Sequence, residues 1–428
     1  CALLLGAPRG HAGLTATASA SMATHASRTV VAALLDGAAS ATPALHAAQA
    51  ALALTLRLAT RAQEPPPRLL LLTCGGAPPA CTAAAPPAAS DAAHGGAWGL
   101  ARVVRLEHAA LRTLSASVAR GYDSGSTTRA AVVAAAAGAA VDDEAEVAWS
   151  SASGGRHAAR LRRTTASHHP ADAAPAMGGA GGAYAITGGL GGLGLRAAAM
   201  LVERGAPRVL LASRGGRVAR DGQGLAARLR SLGGAAEVAA CDSAEWRDAS
   251  ALVARGLPLA GVLHAAGVLR DRTIRLMASV DVDAVFSPKA VAASHVHHAA
   301  MCAPLEALVL FSSVASALGN VGQANYASAN AYLDALASSR RLRGAVGSSI
   351  QLPAVGGAGM AATTFGEAQL EAMGAVSLDA FAAFLSTSLA APRGATERTQ
   401  ALFSPALLQL LNSTSATPLD LSLIHISE

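Results

Sequence analysis

A regular alternation of short apolar runs and helical segments, which begins at Ala183, constrains the fold of this chain more than any other feature. Helical segments at 193–204 and 224–232 separate the first three apolar runs. Strands that alternate with helices form a parallel sheet with helices packed on its faces. The pattern therefore predicts an α/β fold with a doubly wound parallel sheet. The runs that we interpret as buried strands are 184–187, 209–212, 237–240, 261–264 and 308–311.

A glycine-rich run, TGGLGGLG at residues 187–194, follows the first predicted strand and opens the first predicted helix. Glycines in such a turn let backbone amides approach a pyrophosphate and let the helix pack closely on the sheet. A string of glycines is weak evidence in a chain with 43 of them, but the strand–turn–helix context makes it specific. We therefore predict that a dinucleotide contacts Thr187, Gly188, Gly192, Leu193 and Gly194.

Residues at the ends of the next two predicted strands bear on the choice of cofactor. The second strand ends in Ser213 and Arg214, where a site that prefers NAD presents an acidic residue to the ribose. Arginine at this position suits a 2′-phosphate, so the sequence favours NADPH; an ordinary exposed arginine is the alternative. Asp242, after the third strand, either accepts a hydrogen bond from the adenine amine or caps the next helix.

Lys289 is the single lysine of the chain, and the other 32 of the 33 lysine and arginine residues are arginines. Arginine is planar and permanently charged, whereas a lysine ammonium is a compact charge whose pKa responds to its surroundings. A lysine in so arginine-rich a sequence is present either by chance or because its amine is needed. The residues downstream of Lys289 favour the second interpretation.

Tyr326 and Asn330 are four residues apart and therefore share one face of a predicted helix, while Ser313 ends the strand before it. If both elements line one cleft, a hydroxyl and a phenol reach the same carbonyl oxygen. A phenol, with a reference pKa of about 10, needs a nearby cation to act near neutral pH. We predict that Lys289 supplies this charge and that the four residues are catalytic. The alternative is a half-buried helix aromatic and a strand-end cap.

Composition and charge exclude several classes of function. The net charge is +6, but the arginines are scattered and not interleaved with aromatic residues, so we expect no nucleic-acid binding. A basic surface is equally suited to an acidic protein partner. The five cysteines form neither metal-ligand pairs nor a disulfide framework, so we expect no metal and a reducing, cytoplasmic location. The longest uncharged apolar run, 130–141, is shorter than the roughly 20 residues of a membrane-spanning helix.

Residues 1–165 carry their own predicted elements. An apolar strand is predicted at 69–73 and a helix at 98–108. Two further runs, 146–149 and 157–161, have the pattern of strands that pair with each other. No catalytic constellation falls in this part of the sequence.

The remainder of the chain divides into three segments. Residues 166–182 have the composition of a linker, residues 183–395 form the predicted catalytic subdomain, and residues 396–428 form a linker or tail. Because the chain begins at Cys1 without a methionine, we expect it to be cut from a longer polypeptide or to derive from an incomplete transcript. Its last eight residues, LSLIHISE, resemble a translated sequencing-library adapter, and we expect them to be artefactual.

From Ala183 to about Pro392 the chain resembles the ketoreductase domains of type I polyketide synthases, within the short-chain dehydrogenase/reductase superfamily. Most members of that superfamily carry Tyr-x-x-x-Lys, whereas these ketoreductases are similar to this chain in having asparagine, here Asn330, and an upstream lysine. The segment GQANYASANAYLDALA, residues 322–337, resembles their active-site helix. A further resemblance is to the motif that lines their cofactor cleft, which in this chain is His264, Ala265, Ala266 and Gly267.

The first 165 residues resemble the structural subdomain of the same family, a truncated Rossmann-like half that binds no cofactor. The resemblance rests on WGLAR at residues 98–102 and on Glu107 and His108. The implied fold is a Rossmann-like doubly wound parallel sheet preceded by this pseudo-Rossmann structural subdomain.

The resemblance implies an NADPH-dependent β-ketoacyl reductase, which converts the β-keto group of an acyl thioester into a β-hydroxyl in polyketide synthesis. The implied partners are an acyl carrier protein that bears the chain on phosphopantetheine, and other domains of the synthase. Tyr326 then donates the proton and Ser313 holds the carbonyl oxygen. Lys289 lowers the tyrosine pKa and contacts the ribose, and Asn330 orders a relay water. The alternatives are the ketoreductase of a type I fatty acid synthase and a catalytically silent scaffold domain.

Two departures from the family pattern affect the expected substrate contacts. The family usually shows Asn-Trp-Gly-Pro-Trp after the sixth strand, but this chain has Gln-Leu-Pro-Ala-Val at residues 351–355. Where one stereochemical class carries two aspartates, this chain has Arg270 and Asp271. The match at Asp271, and Leu318 in the place of a tryptophan typical of the opposite class, favour a product with a D-configured hydroxyl.

Overall fold

The structure is a computed structural model that describes residues 2–4, 29–34, 41–60, 67–74, 92–118, 144–149, 156–158, 182–218, 223–390, 399–405, 407 and 409. These residues form two compact units. Unit 1 lies within residues 1–159, 270–286 and 315–345, and unit 2 within residues 160–269, 287–314 and 346–428. The predicted linker up to residue 181 and the last eight residues lie outside the described residues, and the predicted domain boundaries stay predictions.

Strands and helices follow the predicted alternation. The strands are β1 (Ala2–Leu4), β2 (Thr29–Leu34), β3 (Arg68–Cys74), β4 (Leu114–Val118), β5 (Glu146–Trp149), β6 (Arg156–Ala158), β7 (Ala183–Thr187), β8 (Val209–Ser213), β9 (Ala236–Ala240), β10 (Leu259–His264), β11 (Ala307–Ser313), β12 (Ser348–Leu352) and β13 (Thr399–Ala401). The α-helices are α1 (Leu45–Ala59), α2 (Gly96–Glu107), α3 (Gly192–Glu203), α4 (Leu225–Ser231), α5 (Trp246–Gly256), α6 (Ser279–Phe286), α7 (Ala292–Ala299), α8 (Ala315–Leu318), α9 (Ala324–Leu342), α10 (Met360–Thr364), α11 (Glu367–Ala372) and α12 (Leu378–Ala390).

Unit 1 contains a sheet whose strands β1 to β6 lie side by side in chain order. Neighbours from β1 to β5 are parallel, and β5 and β6 are antiparallel. The strand predicted at 69–73, the helix predicted at 98–108 and the pairing predicted between the two later strands are therefore confirmed. Helices α1, α2, α6, α8 and α9 belong to this unit, and α2 packs along α9.

Unit 2 contains a sheet of seven parallel strands in the order β13-β12-β11-β10-β7-β8-β9. The strand order reverses between β7 and β10, which is the topological switch point of a doubly wound Rossmann-like sheet. Ligands of such sheets bind at the carboxyl ends of the strands beside the switch point. The predicted α/β fold is confirmed, and the two strands that end at this point are β7 and β10.

The core of unit 2 is mainly aliphatic and contains a few aromatic residues. All residues of β7 and β10 are buried, as strands covered on both faces require. Tyr184 and Phe381 are buried there among leucine, valine, isoleucine and alanine side chains. The segment from Gln351 that departs from the family pattern lies in β12 and the turn after it, and Val355 in that turn is bridged to Val376.

Candidate active site

The glycine-rich turn joins β7 to α3 beside the switch point. Gly188 has a φ of 68°, a conformation that residues with a Cβ rarely adopt, and a Cβ there would lie 2.7 Å from Ala266 N. A Cβ on Gly194 would lie 2.5 Å from Gly188 O, and a Cβ on Gly192 would lie 2.7 Å from Gly359 N. Added side chains would therefore fill the turn. A bare backbone at a helix N-terminus fits the pyrophosphate of a nicotinamide dinucleotide.

The other predicted cofactor residues of β8 and β9 lie at the same ends of their strands. Ser213 ends β8, and Arg214 is exposed in the turn that follows. Asp242 follows β9, and its Oδ1 accepts a hydrogen bond from Ala244 N at 3.1 Å. Asp242 thus closes the turn before α5, while its contact with an adenine stays a prediction. Leu193, at the start of α3, is partly buried against the core of unit 2.

Thr187 and His264 are the last residues of β7 and β10 and are paired across the switch point. His264 is 0% exposed, and its Nε2 lies 2.9 Å from the carbonyl oxygen of Lys289. A carbonyl only accepts hydrogen bonds, so His264 carries its proton on Nε2. Its Nδ1 is then the acceptor for the Thr187 hydroxyl, which lies 2.7 Å away. Both ring nitrogens are therefore engaged within the protein.

Burial holds this imidazole in its neutral form. Desolvation, together with the positive charge of Lys289, lowers the pKa of His264 from 6.5 to about 3. The unfolded chain therefore binds a proton between these two pH values that the folded protein does not bind. Stability is full above pH 6.5 and declines as the pH falls toward 3.

We expect replacement of His264 by glutamine to weaken this acid sensitivity. A single group contributes about 1.4 kcal/mol per pH unit, so between pH 6.5 and 5 wild type should lose about 2 kcal/mol more than His264→Gln. Glutamine keeps an N–H that can donate to Lys289 O but has no proton to gain. Urea unfolding of both proteins at the two pH values measures the difference. Equal losses would show that His264 is not kept neutral by the fold.

Lys289 lies in a π-helical turn, Ser287–Val291, and is 3% exposed. Its Nζ donates a hydrogen bond to Phe311 O in β11 at 2.9 Å. A Cβ on Gly267 would lie 3.1 Å from Lys289 Cε, so the loop after β10 covers the lysine stem closely. In the same loop, Ala265 N donates to Thr187 O at 2.9 Å. The structure thus brings together the strand ends of β7 and β10, the strand β11 and the amine.

Ser313 is the last residue of β11 and is paired with Leu352 of β12. It is 9% exposed, at the carboxyl end of the sheet of unit 2. Ser313 and Lys289 both belong to this unit, whereas Tyr326 and Asn330 belong to unit 1. The joint action of the four residues on one substrate stays a prediction.

Tyr326 and Asn330 lie one turn apart on α9, as their spacing predicts. Asn330 is 0% exposed, and its Nδ2 donates a hydrogen bond to Tyr326 O at 2.8 Å. Asn325 Oδ1 accepts a hydrogen bond from Tyr326 N at 2.8 Å. Tyr326 is half-buried, so its backbone is fixed on two sides while its side chain keeps partial access to solvent.

The sequence interpretation missed a charged cluster in unit 1. Arg102 donates from Nε to Glu146 Oε1 at 2.7 Å, and Arg105 pairs with the same carboxylate. Burial opposes ionisation of Glu146, but the two guanidinium groups outweigh it and lower the pKa of the carboxyl. Arg102 also donates to Ser316 O, and Ser316 Oγ donates to Asp334 on α9 at 2.6 Å. Residues so distant in sequence carry no local pattern that would have revealed the cluster.

Among the residues that the structure describes, no helix combines the length and apolar character needed to cross a membrane. Within the same ranges, no group of three His, Cys, Asp or Glu side chains is arranged to hold a metal ion.

The strand order and the glycine turn at the switch point define unit 2 as a Rossmann-like domain of the dinucleotide-binding class. The KR domain family matches residues 182–357. Two solved structures match the fold of this chain over most of their length. An A1-type ketoreductase has a TM-score of 0.72 and 30% identity over 92% of this chain and 81% of the other. A-type ketoreductases from a modular polyketide synthase have a TM-score of 0.74 at the same identity and coverage.

Two of the sequence relatives are synthases of large size. The chain is 44% identical over 197 residues to polyketide synthase GfsA of Streptomyces halstedii, which is 45% of this chain and 3% of that protein. It is 45% identical over 166 residues to erythronolide synthase EryA2 of Saccharopolyspora erythraea, which is 38% of this chain and 5% of that protein. The chain thus spans only a few per cent of the length of these relatives.

The chain belongs to the KR domain family, the ketoreductase domains of type I polyketide synthases. Members of this family are oxidoreductases that use a reduced nicotinamide cofactor, NAD(P)H. The resemblance found in the sequence is therefore confirmed at the level of family and fold. The individual site residues, the preference for NADPH and the carrier-protein partner stay predictions.

Proposed function

We propose that this chain reduces the β-keto group of an acyl thioester, tethered to an acyl carrier protein, to a β-hydroxyl in polyketide synthesis, with NADPH as the reductant. The observation that carries the proposal is the burial of Lys289. Its Nζ donates a hydrogen bond to Phe311 O, and its own backbone carbonyl oxygen accepts one from His264 Nε2. Burial of a charged group is costly, such groups cluster at functional sites, and ligands of these sheets bind at the strand ends beside the switch point.

The residues of this chain divide the chemistry between them. When bound, the nicotinamide supplies the hydride that adds to the β-carbon. Tyr326 donates its phenol proton to the carbonyl oxygen, and the keto group becomes a hydroxyl. Ser313 donates a hydrogen bond to the same oxygen, which fixes the carbonyl and stabilises its developing charge. The positive charge of Lys289 favours the phenolate that remains, and Asn330 orders the water that returns the proton.

Arg214 is proposed to select NADPH over NADH. Its guanidinium group follows the end of β8, is exposed and suits a 2′-phosphate. We expect Arg214→Ala to raise the KM for NADPH about 10-fold or more, because one charge-assisted contact is lost. The KM for NADH should stay nearly unchanged. Steady-state kinetics with both cofactors measures this. Arg230→Ala, at an exposed position of α4, is the control for a change in net charge. Equal effects of Arg214→Ala on both cofactors contradict a 2′-phosphate contact.

The proposed activity is tested by NADPH oxidation with a β-ketoacyl pantetheine thioester. We expect NADPH consumption that depends on the thioester and yields the β-hydroxyacyl product. A catalytically silent scaffold domain, the alternative of a different class, would stay folded by circular dichroism and consume no NADPH. Reduction of short unbranched chains alone would favour a fatty acid synthase.

The same proposal assigns the partners. A carrier protein that bears phosphopantetheine delivers the substrate, and other synthase domains lie in the same or a neighbouring chain. The net charge of +6 supports association with an acidic carrier protein. The relatives' own length supports the presence of such domains, since the matched region is 3% of one and 5% of another.

A further inference from the structure

Glu107, the last residue of α2, is the meeting point of two distant segments of unit 1. Its Oε2 accepts a hydrogen bond from Ile274 N at 2.6 Å. Its Oε1 accepts a hydrogen bond from Gly322 N at 2.8 Å. Each carboxylate oxygen thus accepts from one backbone amide. Ile274 belongs to the segment 270–276, the first of two loops, and Gly322 belongs to the second, the turn 319–323 before α9. Bonds from backbone N–H groups to a carboxylate are charge-assisted and about twice as strong as neutral ones.

The two loops that Glu107 holds are also bonded to each other. Arg272 N donates to Gly322 O at 2.8 Å. Gln323 Nε2 donates to Asp271 Oδ2 at 2.9 Å. The first loop therefore carries Asp271, and the second leads directly into the helix of Tyr326. Asp271 is exposed but engaged, so it is part of this junction rather than a freely solvated carboxylate.

The helix that presents Glu107 is itself fixed on α9. A Cβ on Gly99 would overlap the carbonyl oxygen of Ala327, the residue after Tyr326, so the two helix backbones are in direct contact. Ser328 Oγ donates to Gly96 O at 2.7 Å. These contacts set the position of α2 on α9, and with it the position of Glu107 relative to the start of α9.

The turn before Tyr326 is centred on Gly322. Gly322 has a φ of 82°, a conformation that residues with a Cβ rarely adopt, and its N–H and carbonyl oxygen are bonded to Glu107 and Arg272 N. The bond from Gly322 N to Glu107 therefore holds the turn that leads into α9.

We propose that Glu107 is a positioning residue, which ties the Asp271 loop to the turn before Tyr326 and thereby sets the place of Tyr326 within unit 1. This inference rests on the proposed function for the role of Tyr326. It also gives the N-terminal region, which carries no predicted catalytic residue, a direct part in the catalytic geometry. Only a carboxylate supplies two acceptor oxygens at this position, because the amide of glutamine has one oxygen and turns an N–H₂ group toward the second amide.

The test compares wild type with Glu107→Ala and Glu107→Gln by hydrogen exchange and by kinetics. We expect faster amide exchange in peptides that cover residues 270–276 and 319–326, with unchanged exchange in α1 and in unit 2. We expect kcat to fall about 100-fold in Glu107→Ala, because a small misplacement of a reacting group lowers the rate by about this factor. The KM for NADPH should change little. Glu107→Gln should recover part of kcat because one acceptor remains.

A matched control is Asp283→Ala, which removes a carboxylate of unit 1 that is bonded to a side chain, Gln49, at 2.6 Å. It should change neither the exchange of the two peptides nor kcat. Unchanged exchange in the Glu107 variants, or a rise spread evenly over unit 1, overturns the proposal, since either means that the loops do not depend locally on Glu107. If wild type itself reduces no β-ketoacyl thioester, the proposed function fails, while the exchange data still decide whether Glu107 orders the two loops.

Discussion

Replacement of Lys289 by arginine is expected to lower kcat about 100-fold or more while the protein stays folded. Lys289 is 3% exposed, its Nζ donates a hydrogen bond to Phe311 O, and Gly267 lies so close that an added Cβ there would be 3.1 Å from Lys289 Cε. An arginine keeps the charge but adds length and a rigid plane. The guanidinium group is therefore displaced from the place that the ammonium occupies. Single-turnover rates with a β-ketoacyl thioester measure the loss, and circular dichroism verifies the fold.

The control for this substitution is the reverse exchange at an exposed site, Arg247→Lys on α5. It should leave kcat unchanged, because a solvated cation of either kind suffices there. A Lys289→Arg protein with a rate close to that of wild type would remove the reason for interpreting the single lysine as catalytic.

Tyr326→Phe is expected to produce the largest loss of all, about 100- to 10,000-fold in kcat, because it removes the proposed proton donor and keeps the ring. The KM for NADPH should change little, since the phenol acts on the carbonyl oxygen of the substrate. The position supports a clean result: Tyr326 is half-buried and its backbone is held by Asn325 and Asn330. Stopped-flow measurement of the chemical step gives the value.

Tyr332→Phe on the same helix is the matched control. Tyr332 is 0% exposed and its hydroxyl donates to Ala41 O. Loss of this bond should cost about 1 to 3 kcal/mol of stability with little effect on kcat. If the two substitutions lower kcat equally, Tyr326 contributes to packing and another group donates the proton.

Much of the fold could be predicted from the sequence because it depends on local signals. The strands of unit 2 are short apolar runs, and the glycine turn follows β7 in the context that its motif requires. The spacing of Tyr326 and Asn330 placed them correctly on one helix, because helical periodicity is a property of neighbouring residues.

The sequence did not reveal the contacts that join distant segments. His264 was predicted as a cofactor residue from its motif, but its bonds to Thr187 and to Lys289 O depend on three separate elements. Glu107 was noticed only as part of a resemblance, because its two partners lie far along the chain and are backbone amides, which leave no mark in side-chain patterns. Residues 270–286 and 315–345 also group with the N-terminal region through contacts between distant segments, and local sequence patterns do not reveal such contacts.

The most direct test of the central claim follows the hydride itself. The protein is incubated with a β-ketoacyl thioester on a carrier protein and NADPH that carries deuterium at C4 of the nicotinamide, and the product is analysed by mass spectrometry. We predict a β-hydroxyacyl thioester with one deuterium on the β-carbon, formed by wild type and suppressed in Tyr326→Phe. An unreduced thioester, with a protein that is folded and pure, would contradict the assignment of this chain as a β-ketoacyl reductase.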